Sequence, residues 1–463
     1  MKQYDVIVIG SGPGGYVAAI RLGQLGKKVA VIEEKDIGGV CLNVGCIPSK
    51  ALISTAEFFH KIQKAEEFGI LVGTLKLDSS KLQIWKENVV KKLTGGVSQL
   101  LKANKVEILQ GCAIFSGKNE VALKTNEKEE KIGFNQAIIA TGSRPIEIPG
   151  FAFDGKIVVS STEALSFVEV PQKFCVIGGG YIGLEIASLY AAFGAAVTVV
   201  EATAQLLPGT DPDLVQMVSR ELKKRGVQVR LNAKATAWKK SGNGAEVTVG
   251  EGEPIVADKI LVAVGRTPNS KNLGLEKIGV KIDQKGFVTV DNQLRTNIKN
   301  IFAIGDVAGQ PMLAHKASKE GLVAADVIAG KKVAYDVRAM PAVIFTTPEI
   351  ATVGFSETEA KAKGKKYKLG KFPFAASGKA LATGETEGFV KILADEETDG
   401  VLGVGIVGPE ASNLIGEAAL AIEMGAFAED IALTVHPHPT LTEALMEAAE
   451  AVQGQAIHIV NRK

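Results

Sequence analysis

"VIGSGPGGYVAAIRLGQLGKKVAVIE", residues 8–33, returns as "VIGGGYIGLEIASLYAAFGAAVTVVE", residues 176–201, at a constant shift of 168. Gly10, Gly12 and Gly15 fall on Gly178, Gly180 and Gly183, and Glu33 falls on Glu201. Each copy reads as a strand, a glycine turn, a helix, a second strand and an acid. In that setting each glycine has a task. The first makes the tight turn, the second lets the backbone approach a pyrophosphate, and the third lets the helix pack close to the strand. The phosphates sit at the helix N-terminus, where free N–H groups and the dipole favour negative charge. The acid accepts hydrogen bonds from ribose hydroxyls. One copy alone is weak evidence. Two in register predict two dinucleotide sites, and two such sites in one chain suggest electron transfer between FAD and a nicotinamide. Glu201 carries a negative charge where a 2′-phosphate would lie, and the following "ATAQLL" supplies no Arg or Lys. NAD is therefore expected rather than NADP.

The chain has 463 residues, enough for three or four domains. With 46% hydrophobic and 22% charged residues it can build large cores. A net charge of +2 without a long basic run argues against nucleic acid as a partner. No apolar run approaches the ~18–20 residues of a membrane span. The apolar run near Met1 ends in glycines too soon for a signal peptide. A chain that starts directly in a strand is expected in the cytoplasm.

Working outward from the first copy, "GGVCLNVGCIPSK" (38–50) places Cys41 and Cys46 five residues apart. Four cysteines in so long a chain form no disulfide framework. Cys112 and Cys175 read as small buried residues. A zinc site would want further Cys or His ligands near Cys41 and Cys46, and none is there, which favours redox chemistry. On a straight helix the two side chains would stand about 140° apart, with Cα atoms roughly 8–9 Å from each other. A disulfide wants less than ~7 Å, so the segment must leave regular helix if the pair bonds. Gly45 and Pro48 make that easy. Pro48 suits the first turn of a helix "PSKALISTAEFFHKIQ". Cys46 would then sit just ahead of a helix N-terminus, which together with Lys50 favours thiolate.

Three more stretches stand out. "IIATGSRP" (138–145) echoes "LVAVGRTP" (261–268), each a buried strand leading to a glycine and a proline. "IFAIGDVAG" (301–309) ends a buried strand in Gly305-Asp306, where the acid could bind flavin hydroxyls or simply make a turn. "HPHPTLTE" (436–443) holds His438 between two prolines, stiff and non-helical, as a general base requires. Glu443 either orients His438 or completes a capping box with Thr440, and spacing leaves both open. His60, His315 and His458 have weaker cases.

Together these motifs resemble the pyridine nucleotide–disulfide oxidoreductases, from Tyr4 to about Glu450. The resemblance implies an α/β fold with two Rossmann-like dinucleotide-binding domains and a C-terminal α+β dimerisation domain. The expected regions are an FAD-binding domain (1–146), an NAD-binding domain (147–269), a central domain completing the FAD site (270–340) and an interface domain (341–463). It implies a Cys41–Cys46 redox disulfide, with Cys41 exchanging with substrate and Cys46 nearest the flavin. Lys50 and Glu185 would pair beside the flavin ring. Gly10, Gly12, Gly15, Glu33, Thr141, Gly142, Asp306 and Ala314 would hold FAD, and Gly178, Gly180, Gly183, Glu201 and Gly265 would hold NAD. No metal is implied. Members are homodimers in which one subunit supplies His438 and Glu443 to the other's disulfide, with a cis bond before His438, at Pro437. Within the family the chain is most similar to members that oxidise dihydrolipoamide, whose partners are the lipoyl domains and core subunits of 2-oxo acid dehydrogenase complexes. Glutathione reductases usually carry a second Lys where this chain has Ser49 and basic residues where it has Glu201. Mercuric reductases add a C-terminal cysteine pair, and here no cysteine follows Cys175. A role purely as a docked structural subunit is opposed by the intact Cys41, Cys46 and His438.

Overall fold

The strand Lys2–Ile9 ends in four fully buried residues, and Val29–Glu33 begins with four, a pattern that suits parallel strands covered on both faces. The computed structural model describes residues 1–126 and 128–461, so Glu127 and the last two residues of the fourth expected region lie outside the description. The two strands join a seven-stranded sheet in the order Glu107–Gln110, Val29–Glu33, Lys2–Ile9, Glu129–Ile139, Glu120–Lys124, Cys112–Gly117. Far along the chain, Ile301–Ala303 returns to pair in parallel with the end of Glu129–Ile139. This puts the Asp306 turn beside the first glycine turn.

The second copy builds a five-stranded parallel sheet: Gln228–Arg230, Ala196–Val200, Lys173–Ile177, Lys259–Val262, Val158–Val159. The repeat extends to register. Val6 lies opposite Val29 in the first sheet, and Phe174 opposite Val197, at the same shift, in the second. The tails of the two echoed stretches pair with each other, Ser143–Pro145 antiparallel to Arg266–Pro268, and so tie the two nucleotide units together. The last sheet is five-stranded and antiparallel, in the order Ala342–Ile344, Glu349–Gly354, Val401–Gly408, Phe389–Asp395, Tyr367–Pro373. Helices Ala411–Met424 and Glu443–Val452 share its apolar core.

The cysteine segment folds as two helices, Gly39–Val44 and Cys46–Gln63, broken at Gly45. Gly45 has φ −136° and ψ −116°, and a Cβ there would stand 2.8 Å from the Val40 carbonyl oxygen. Cys46 is thus the first residue of the second helix rather than the residue ahead of it. Cys175 is buried as expected, but Cys112 is only half-buried. Helices Pro13–Gln24 and Ala314–Ile328 meet backbone to backbone. A Cβ on Gly321 would lie 2.6 Å from the Gly14 carbonyl oxygen. Ala314, at the start of the later helix, is thereby brought toward the first glycine turn. Among the described residues no helix is long and apolar enough to cross a membrane.

Candidate active site

The two glycine turns are built alike. A Cβ on Gly15 would lie 2.0 Å from the Gly10 carbonyl oxygen, and one on Gly183 would lie 2.1 Å from that of Gly178. Around Gly12 and Gly180, by contrast, no atom lies within 4 Å of such a Cβ. Only those middle positions leave room for a ligand to touch backbone. The helices that follow, Pro13–Gln24 and Tyr181–Ala192, have no side-chain cap and no acid in the first turn. Their N–H groups are open to an anion, which is what a dinucleotide pyrophosphate needs. Each acid grips its own turn. Glu33 accepts from the Ser11 N–H at 2.9 Å and hydroxyl at 2.7 Å. Glu201 accepts from the Gly179 N–H at 2.6 Å and the Thr203 N–H at 2.7 Å. The residues therefore fit FAD and NAD.

Cys41 and Cys46 come together across the Gly45 break, Cys41 half-buried and Cys46 exposed. The Cys41 thiol donates a hydrogen bond to the Cys46 sulfur, and this splits their acidities. The hydrogen bond lowers Cys46 to about 7; loss of solvent opposes, Lys50 assists, and Glu185 opposes. Cys41 is pushed up, because it keeps the proton it donates and because it is partly desolvated. Lys50 Nζ lies 2.8 Å from Glu185 Oε2 and 4.3 Å from the centre of the Phe345 ring. The Phe345 N–H holds the other Glu185 oxygen at 3.0 Å. Glu185 is 4% exposed inside an otherwise apolar helix, so its charge is compensated by these two groups.

Asp306 sits in the turn Gly305–Val307 and accepts the Ser143 hydroxyl at 2.5 Å. Behind it stands a buried ion pair that sequence reasoning missed. Lys316 Nζ meets Glu320 at 2.9 Å with both side chains 5% exposed. Glu320 accepts the Gly305 N–H at 2.6 Å, while Lys316 donates to the Gly305 and Gly309 carbonyls at 3.3 and 3.0 Å. The i,i+4 spacing was a signal, but such pairs are usually solvated. Thr141 and Gly142 join this region through Asn269: the Thr141 hydroxyl donates to its carbonyl at 2.6 Å, and its N–H donates to Gly142 at 2.9 Å. Gly265 holds φ +141° just before the strand that pairs with Ser143–Pro145.

Glu443 does both things the spacing left open. One oxygen meets His438 Nδ1 at 2.9 Å, and the other accepts the Thr440 N–H at 2.9 Å. The capping box is only half formed, since the helix starts at Glu443 with Thr442 at its cap. Burial works to raise the Glu443 pKa, but the Thr440 N–H and then His438 outweigh it, and the net shift is downward. The cis bond is His438–Pro439; the expected one, before Pro437, is trans. The His438 side chain is 78% exposed, and no hydrogen bond joins it to Cys41 or Cys46 of its own chain among the described residues.

Comparison with known proteins places the chain among relatives over its whole length. The family profile "Pyridine nucleotide-disulphide oxidoreductase" matches residues 4–321, and that of the family's dimerisation domain matches residues 340–449. The chain is 51% identical to a dihydrolipoyl dehydrogenase of Thermus scotoductus, covering 100% of both chains. It is 50% identical to one of Geobacillus stearothermophilus, over 99% of this chain and 98% of that one. Among solved structures it is similar to LpdA of Mycobacterium tuberculosis, with TM-score 0.90, 26% identity and coverage of 97% and 99%. It is also similar to the Cu(II) complex of the HOCl-induced flavoprotein disulfide reductase RclA of Escherichia coli, with TM-score 0.89, 28% identity and the same coverage.

Proposed function

The chain belongs to the pyridine nucleotide–disulphide oxidoreductases, and we propose that it works there as a dihydrolipoyl dehydrogenase, oxidising the dithiol of lipoyl domains and reducing NAD. The observation that carries this reading is the polarised Cys41–Cys46 pair beside Lys50–Glu185, between two dinucleotide cradles of which the second ends in Glu201. Family members use FAD and NAD. The matching dimerisation domain makes the protein a homodimer. Exposed His438 is supplied by one subunit to the cysteines of the other. The core subunits of 2-oxo acid dehydrogenase complexes, a cytoplasmic location and the four-region division given above belong to the same reading.

Bound FAD would relay the electron pair from the cysteine dithiol to NAD. The protein's own groups do the rest. Gly12, the open helix start and Glu33 hold the adenosine half of FAD, and Asp306 holds its ribityl side. Glu443 keeps the proton on His438 Nδ1, which leaves Nε2 free to take the proton of a substrate thiol. The substrate thiolate attacks Cys41 Sγ of the oxidised pair, forming a mixed disulfide and releasing Cys46 as thiolate. The second substrate sulfur then displaces Cys41, closing the lipoyl disulfide; Cys41 leaves with the proton returned from the imidazolium, and the second thiol's own proton passes to the freed Nε2, so that the reduced protein holds a Cys46 thiolate beside a protonated His438. The Lys50 charge lowers the energy of the Cys46 thiolate.

The direct test is an assay of the purified protein alone. It should be yellow, reduce NAD with dihydrolipoamide, and develop a long-wavelength thiolate-to-flavin band on anaerobic titration with dihydrolipoamide. A folded, colourless, flavin-free protein would remove the reading. Two variants extend it. Glu201→Ala should narrow the preference for NAD over NADP by about tenfold, the cost of one misplaced charge in a recognition site, seen in the ratio of kcat/KM values. Glu320→Gln leaves Lys316 buried without its partner, a loss of about 3–5 kcal/mol in comparable pairs. It should speed release of FAD on dilution, followed by flavin fluorescence, before it affects NAD binding.

A further inference from the structure

A cluster of charge lies away from the redox groups. Lys391, in the strand Phe389–Asp395, is 1% exposed. Its Nζ meets Asp211 at 2.8 Å, Asp213 at 2.8 Å and Glu357 at 3.1 Å. The three carboxylates lie within 4.8 Å of one another, so the lysine is the charge that lets them share the space. Lys371 reaches Asp213 at 3.2 Å and Lys361 reaches Glu357 at 3.5 Å from the outer side. Asp211 also accepts the N–H groups of Glu357 and Thr358 at 2.9 and 3.1 Å, and the Thr358 hydroxyl at 2.8 Å. Three segments from separate parts of the chain therefore converge on one ammonium group.

Asp211 closes a segment that begins at Glu201, and this segment wraps the second glycine turn. Glu201 takes the Gly179 N–H, and Leu207 donates its own N–H to the Gly179 carbonyl at 2.9 Å. A Cβ on Gly179 would stand 2.6 Å from Leu206 and 3.1 Å from Glu201, so the segment and the turn are in contact. Leu207 holds φ +50° and Gly209 φ +90°, a path that needs both ends fixed. One end is Glu201 itself. The other is Lys391.

We propose that Lys391 is a positioning residue for NAD: by neutralising Asp211, Asp213 and Glu357 it fixes the far end of segment 201–211, and through it the second glycine turn and Glu201. The proposal rests on the reading of that turn as the NAD site. Without the ammonium group three like charges face each other, the anchor opens, and the Leu207–Gly179 and Glu201–Gly179 hydrogen bonds lose their support. Cys41, Cys46 and Lys50 lie on other elements and keep their places.

The test uses the FAD-loaded dimer. Lys391→Met should raise the KM for NAD at least tenfold. The rate at which dihydrolipoamide reduces the enzyme without NAD should stay within twofold, and FAD content should be unchanged. Adding Asp213→Asn and Glu357→Gln to Lys391→Met removes the repulsion and should recover most of the NAD affinity, which a purely structural lesion would not allow. Should Lys391→Met not fold, Asp211→Asn carries the same test, since its amide would turn a donor toward groups that are themselves donors. A KM for NAD within twofold of normal in the folded variant, or equal losses in both half-reactions, overturns the proposal. Failure of the underlying reading would show separately, as unaltered protein that does not reduce NAD.

Discussion

His438→Gln is expected to lower dihydrolipoamide-driven NAD reduction by about 10²–10⁴-fold, the range a general base contributes. FAD content and oxidation of NADH by an artificial electron acceptor should be unchanged. The imidazole is held at Nδ1 by Glu443 at 2.9 Å, and the amide of Gln can fill the space but cannot take a proton. The 78% exposure of His438 within its own chain adds a second expectation. Mixing inactive His438→Gln chains with inactive Cys41→Ser chains should restore part of the activity, because half of the hybrid dimer's sites would combine a normal histidine with normal cysteines. Glu443→Gln distinguishes the two bonds that Glu443 makes. If only the bond to the Thr440 N–H mattered, stability would change and turnover would not. If the carboxylate also orients and stabilises the imidazolium, kcat should fall while KM for NAD stays constant. Near-normal dithiol turnover in His438→Gln would end the assignment.

What could be read from the sequence was what is local. The glycine turns are complete within about thirty residues each, and in the structure the repeat extends to strand register, Val6 with Val29 and Phe174 with Val197. The break at Gly45 followed from the reach of a disulfide. Long-range pairings were a different matter. Lys50 and Glu185 are 135 residues apart, and only the family resemblance joined them. One local sign existed: Glu185 is a lone charge in the otherwise apolar "YIGLEIASLYAA", and a charge so placed needs a partner. Lys391 gave no such sign. In the strand "FVKILAD" it reads as a residue facing water, whereas every residue from Phe389 to Ala394 is buried. Its three acids come from two other elements that no pattern brings together. Lys316 and Glu320 have the i,i+4 spacing of a helix pair but were missed in the sequence, and their hold on Gly305 and Gly309 depends on Ile301–Ala303 entering the first sheet. The cis bond was expected two residues early, at His436–Pro437 instead of His438–Pro439, because each of the two histidines precedes a proline and the spacing does not tell the two bonds apart.

Replacing either redox cysteine should reduce dithiol turnover to the uncatalysed background, since no disulfide can then form, but the two variants should differ in titration. Cys46 is lowered to about 7 mainly by the Cys41 hydrogen bond, with Lys50 assisting. Its thiolate fraction in the reduced protein should therefore rise as pH increases through about 7. The other cysteines do not interfere: burial raises Cys112, and pushes Cys175 up to about 12. In Cys41→Ser the serine hydroxyl can still donate to Cys46, and Lys50 is still present, so a single low transition should persist. In Cys46→Ser the neighbouring thiolate that held the proton on Cys41 is gone. Cys41 should then titrate below its own value in the unaltered pair, yet above that of Cys46, because it is partly desolvated and does not begin a helix. Ultraviolet difference absorbance of the thiolate against pH measures both, and in the FAD-loaded protein only Cys41→Ser should show the long-wavelength band, losing it as pH falls through the same transition. The reverse order, with the low transition and the band in Cys46→Ser, would mean that Cys46 meets the substrate and Cys41 the flavin, and would invert the sequence of sulfur exchanges.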